Sequence, residues 1–152
     1  MYVTLDEYRA YAVEHGHEVP EDDQEANVQL VRASQFIDSK EAQLIGRRTD
    51  RDQQHAYPRD GLRIDGFTYD SEEIPSLVKN CQMELALEIN SGIDLYAPSD
   101  VLPVVKERVE GAVEVGYAPP AKVEAKRRES TAMNMLRRLM RAPSMSIPIV
   151  RV

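Results

Sequence analysis

Apolar residues recur at helical spacing in three stretches before residue 92. Leu5, Tyr8, Tyr11, Ala12 and His15 fall on one side of a first helix. Thr4 and Glu7 stand at the spacing of a capping box, in which each side chain meets the other residue's amide. Gly16 is the expected stop, because a C′ residue turns left-handed. The acidic stretch from Glu18 to Asp23, with Pro20, reads as a loop, and Asp22 or Asp23 caps the next helix. There Ala26, Leu30, Ala33, Ile37 and Leu44 form one narrow stripe, so the pattern predicts a long helix running toward Gly46. Pro75 suits the first turn of a third helix. Ile74, Leu77, Val78, Cys81, Leu85 and Ile89 are its apolar side, and Gly92 is its end. Met83 and Leu87 lie on a second side. A helix with two apolar sides is either deeply buried or shared with a neighbouring subunit.

Residues Arg47 to Asp70 show little periodicity and contain Pro58, Gly61 and Gly66. They predict a long polar loop, a kind of segment that usually serves function or assembly. After a turn-rich stretch the period changes to two over Val104–Tyr117, the pattern of a β-hairpin at about 104–117. A last helix is predicted from Ser130 to Arg141. Ala132, Met133, Met135, Leu136, Leu139 and Met140 form its apolar side, and Asn134, Arg137, Arg138 and Arg141 stand opposite. Pro143 and Pro148 exclude helix beyond it. The expected fold is therefore mainly α: a small bundle of about four helices with a long loop, a small β-hairpin and an extended C-terminal tail. Residues 1–141 form the domain and residues 142–152 the tail.

Composition narrows the function. The 152 residues suit one domain, and 42% hydrophobic with 30% charged residues is ordinary globular usage. No run of about 18 apolar residues suggests a membrane span. The first residues lack the basic and apolar regions of a secretion signal, and the one cysteine cannot form an internal disulfide. These features lead us to expect an intracellular protein. The net charge is −7, unevenly spread. Residues 1–120 carry 11 Lys and Arg against 24 Asp and Glu, whereas residues 121–152 carry 8 against 2. An acidic body followed by a basic end suggests that the two meet different partners.

Catalytic constellations are sparse. His15 and His17 stand near Glu18, Asp22 and Asp23, a set that has the donor types for a metal. The better reading gives His15 to the apolar stripe and His17 to the surface. His55 has no Ser or Cys motif beside it, and Cys81 sits in the middle of an apolar stripe, which predicts an inert core thiol. No phosphate-binding, nucleophile-elbow or zinc-protease motif occurs. We therefore expect no enzyme and no cofactor. Lys126, Arg127 and Arg128 with Arg137, Arg138 and Arg141 offer charge for nucleic acid, but no aromatic residue lies among them from 118 to 152. The segment Ser146 to Val152 ends in β-branched residues and reads as a strand offered to another protein's sheet edge. Pro148 is tolerable where only one edge pairs.

The order of motifs resembles a known family. Tyr2-Val3-Thr4-Leu5-Asp6-Glu7, Leu30-x-x-Ala33-x-x-x-Ile37-Asp38, Gly46-Arg47-Arg48-Thr49 with Gln53, Ala56-Tyr57-Pro58-Arg59-x-Gly61, Ile74-Pro75 and Glu84-Leu85-Ala86-Leu87 look like the head–tail adaptor (head-completion or connector) proteins of tailed bacteriophages. Many members have Trp where Tyr57 stands, and some are labelled DnaT-like single-stranded-DNA-binding proteins. The resemblance implies a non-enzymatic subunit of a homo-oligomeric ring, commonly twelve-fold, in the virion neck, assembled in the host cytoplasm. It implies a portal protein and a neck or tail-completion protein as partners. DNA would pass through without sequence-specific binding, and no membrane would be involved. On this reading Arg137, Arg138, Arg141, Ile147, Pro148, Ile149, Val150, Arg151 and Val152 face the portal. Tyr57, Pro58, Arg59, Met83 and Leu87 serve as subunit interface or loop anchor. The alternative is a single-stranded-DNA-binding module.

Overall fold

In a computed structural model of the chain, residues 1–96 and 130–141 are described. The first helix, α1 (Leu5–Glu14), begins as its sequence predicts. The Thr4 hydroxyl accepts from the Glu7 amide at 3.2 Å, and the Glu7 carboxylate accepts from the Thr4 amide at 2.7 Å. Gly16 closes it at φ +71°, with His17 and Gly16 donating back to Ala12 and Val13. His15 departs from the expected apolar stripe. It is exposed at the helix end, stacked on the Tyr11 ring with centroids 4.0 Å apart.

The second helix, α2 (Asp23–Ser39), is capped by Asp22. It stops earlier than its stripe predicts, and a single 3-10 turn, Glu41–Gln43, follows. Leu44 is still fully buried, but from extended backbone bridged to Met140. The Ile45 amide donates to Leu139 (2.9 Å) and the Arg141 amide to Gln43 (2.8 Å). Pairing with the exit of the last helix thus replaces further helical bonds, while the apolar side chain stays in the core.

Helix α3 (Ser76–Asn90) takes Pro75 as its N-cap rather than inside its first turn. It packs against α2 and against the last helix, α4 (Thr131–Leu139), and also touches α1. That surrounding explains its two apolar sides. Met83 and Leu87 are buried in the chain's own core, at 6% and 5% exposure, and do not form a free face for a neighbouring subunit. Helix α4 is capped by Ser130 and buries Ala132, Leu136 and Leu139. Gln82, wholly buried on α3, donates to the Leu30 carbonyl (2.8 Å) and accepts from the Tyr2 amide (2.9 Å), so the N-terminal residues are sewn to two helices.

The segment expected as an open loop contains two small antiparallel pairs. Strands β1 (Arg47–Arg48) and β2 (Arg59–Asp60) pair Arg47 with Asp60 and Arg48 with Arg59. Strands β3 (Arg63–Ile64) and β4 (Phe67–Thr68) pair Arg63 with Thr68 and Ile64 with Phe67. Gly46 admits no side chain: at φ +78°, a Cβ there would lie 2.7 Å from the Asp60 carbonyl oxygen. Among the described residues the fold is mainly helical, with four helices and two small hairpins, as the sequence leads one to expect apart from these strands. The hairpin expected at 104–117 and the tail 142–152 lie outside the described residues. No helix among the described residues is long and apolar enough to cross a membrane.

Candidate nucleic-acid interface

The 44–70 segment is rigidified from beneath by polar side chains. Arg59 is only 4% exposed. Its guanidinium donates to the carbonyls of Ile45 (2.8 Å), Gly46 (2.9 Å) and Ala56 (3.2 Å), and Glu41 lies 3.6 Å away. A buried cation needs such a set of acceptors, because leaving one unpaired costs several kcal/mol, on the order of 3–5. Asp38 at the end of α2 is a second anchor. It accepts from the Ala56 amide (2.9 Å), from the His55 ring (2.9 Å) and from the Tyr2 hydroxyl. Gln53 is a third, donating to the carbonyls of His55 and Pro58 while accepting from Thr49 and Asp50.

Tyr57 and Pro58, joined by a cis peptide bond, sit over this frame. The Tyr57 ring is buried, edge-on to Tyr2 at 5.9 Å. Its hydroxyl has no hydrogen-bond partner, and burial pushes its pKa upward. Tyr57 and Arg59 therefore hold the segment from inside. Nearby Cys81 is fully buried, and desolvation pushes its thiol up to about 12, a protonated and unreactive state at neutral pH.

The outer side of the same segment carries arginines. Arg47 pairs with Asp60 (2.8 Å) and Arg48 with Glu41, and these contacts hold both carboxyls below their usual range. Arg51 and Arg63 are exposed, with Arg63 donating to Gly66 across the hairpin at 3.2 Å. Helix α4 brings more charge to this place. Arg138 pairs with Asp65 at the β3–β4 turn, and Arg141 donates to the Gly46 carbonyl at 3.1 Å. Arg137, also exposed, donates to Asn134 on its own helix. The tertiary structure thus joins two arginine groups that lie far apart in sequence. Of the residues expected to face a portal, Arg138 and Arg141 are on this surface, Arg137 is exposed elsewhere on α4, and Ile147, Pro148, Ile149, Val150, Arg151 and Val152 lie outside the described residues.

Phe67, on the same hairpin as Arg63, is 72% exposed beside the β3–β4 turn. The sequence expectation omitted it, although a signal was present. Asp65-Gly66 between two short runs is the pattern of a two-residue type I′ hairpin, and both residues do take positive φ, +51° and +90°. His15 and His17 do not meet enough acidic partners, since no cluster of three or more His, Cys, Asp or Glu suited to a metal occurs among the described residues.

No curated protein and no solved structure matches the chain. A family model does, over residues 1–152, with the description "Putative DnaT-like ssDNA binding protein". Its match spans the helices, the two hairpins and the arginine surface alike, and the chain belongs to that family.

Proposed function

We propose that the chain is a non-enzymatic single-stranded-DNA-binding module whose contact surface is the arginine face built by residues 47–68 and α4. The convergence of Arg47, Arg63, Arg138 and Arg141 on one face carries this reading. Arginine offers phosphates a planar set of donors, and the Arg47–Asp60 and Arg138–Asp65 pairs are exposed enough for a phosphate to compete for them. The family description supports the same function. Anisotropy titration of a labelled thymidine oligonucleotide at low salt tests it. Affinity is expected to fall steeply as salt rises, and to fall at least tenfold when Arg47, Arg63 and Arg138 are replaced together by Ala. Absence of binding at low salt would remove this function.

A second reading, the head–tail adaptor of a phage virion, has its own support. Outside the arginine face the body is acidic, with Glu18, Glu21, Asp22, Asp23 and Glu25 together at the start of α2. Val13, Val28 and Val31 also leave apolar side chains in water on α1 and α2, as a subunit contact would require. An acidic ring repels the DNA it guides, whereas the basic end reaches a portal protein. On this reading the chain forms a homo-oligomeric ring in the virion neck, between the portal and a neck protein. Deleting residues 142–152 should abolish decoration of portal rings in electron micrographs while the domain stays folded. Decoration by the truncated chain would exclude the tail from that contact.

A further inference from the structure

We propose that the β3–β4 hairpin is a base-stacking site, in which Phe67 offers its ring to an unpaired nucleobase while Arg63 and Arg138 hold the flanking phosphates. This rests on the single-stranded-DNA reading and assigns that function a residue. Three observations carry it. First, Phe67 is the most exposed aromatic ring among the described residues, at 72%, whereas its cross-strand partner Ile64 is buried at 3%. The hairpin therefore anchors itself through Ile64 and leaves the aromatic ring to solvent.

Second, the ring is held on a short, defined element. The Asp65-Gly66 turn closes it, the Tyr69 amide donates to Leu62 at 3.1 Å, and Arg138 on α4 grips Asp65. A preset aromatic loses little freedom when a base stacks on it. Third, Arg63 lies on the same hairpin and Arg138 is tied to its turn, so the element that carries the ring also carries two cations. The acidic neighbours Asp60 and Asp65 are each engaged by an arginine, Arg47 and Arg138. An aromatic ring and cations on one element are the groups with which proteins bind single strands with little sequence preference, because every base has a π-face. A duplex, whose bases are already stacked, gains nothing from it.

The test uses the full chain and three probes at low salt: a thymidine 30-mer, the same length of abasic strand, and a duplex. Phe67→Ala should weaken thymidine-strand binding about tenfold. It should leave abasic-strand binding unchanged, and Phe67→Trp should retain the thymidine affinity. Both variants should melt with the parent, because the ring contributes little to the core. Arg63→Ala should weaken binding to the thymidine and abasic strands alike. Equal thymidine affinity for Phe67→Ala and the parent would overturn the stacking site and leave the arginine face standing. Loss of self-association in Phe67→Ala with DNA affinity unchanged would assign the hairpin to a protein contact and overturn it equally. Failure of the parent to bind any probe would remove the DNA reading itself.

Discussion

The helical body and the 44–70 segment are held together by different physics. In the body, Leu30, Ile37, Val78 and Leu85 are fully buried on α2 and α3, and many small dispersion and burial gains add up. In the segment there is little apolar surface to bury beyond Leu44, Ala56, Tyr57, Leu62 and Ile64. Instead, Arg59 and Gln53 each satisfy several backbone groups, and Asp38 joins the Ala56 amide to the His55 ring and the Tyr2 hydroxyl. A core of the first kind tolerates distributed change. A segment of the second kind depends on a few directional groups, and it can present a shaped, polar surface that an apolar core cannot.

Substitutions should separate the two. Leu85→Ala removes a wholly buried side chain from α3 and should cost about 3–5 kcal/mol, lowering the melting temperature by roughly 10 °C with all probes moving together. Arg59→Ala should cost about 2–4 kcal/mol, and its effect should be local. Hydrogen exchange should show the Tyr69 amide unprotected while α2 and α3 amides keep their protection. Uniform loss of protection would break the distinction, because the segment would then share the core's cooperativity.

Smaller effects sharpen it. Thr4→Ala removes the α1 cap and should cost about 1 kcal/mol by denaturant titration. Tyr57→Phe removes a buried hydroxyl that lacks a partner, so it should raise stability by about 0.5–1 kcal/mol. A decrease would mean that the hydroxyl is bonded in solution. The pH dependence is the smallest effect and runs in two directions. Glu7, held down first by the Thr4 amide and then by Lys79, and Glu41, held down by Arg48, have folded pKa values below 4.5. Each stabilises the fold above about pH 4.5, and that contribution disappears as pH falls through the lowered value. Glu88 is opposite: burial raises its pKa, so its protonation favours the fold as pH drops toward 4.5. Glu41→Gln should lose the Glu41 contribution at neutral pH, a few tenths of a kcal/mol for so exposed a pair, and flatten the loss of stability below pH 4.5 by the same amount.

Most of the helical body was legible in the sequence. The capping box at Thr4, the stops at Gly16 and Gly92, and the burial of Ala26, Leu30, Ala33 and Ile37 follow from local bonding and a 3.6-residue period. Periodicity misjudged the end of α2, because Leu44 can reach the core from an extended chain as well as from a helix. It also left open who covers Met83 and Leu87. Only the packing of α3 against α1, α2 and α4 answers that.

The candidate site was harder to see for the same reason. Composition placed arginines at the end of the chain, and the Tyr57-Pro58-Arg59 motif marked a loop anchor. Neither indicated that Arg138 would meet Asp65, or Arg141 the Gly46 carbonyl, across distances of 73 and 95 residues. By itself, the sequence determined the helices, their caps and the residues that seek the core, since those depend on near neighbours and on removal from water. Tertiary structure alone decided which charged groups share a face and that Phe67 stays in solvent. Such outcomes depend on long-range pairings that no local pattern encodes.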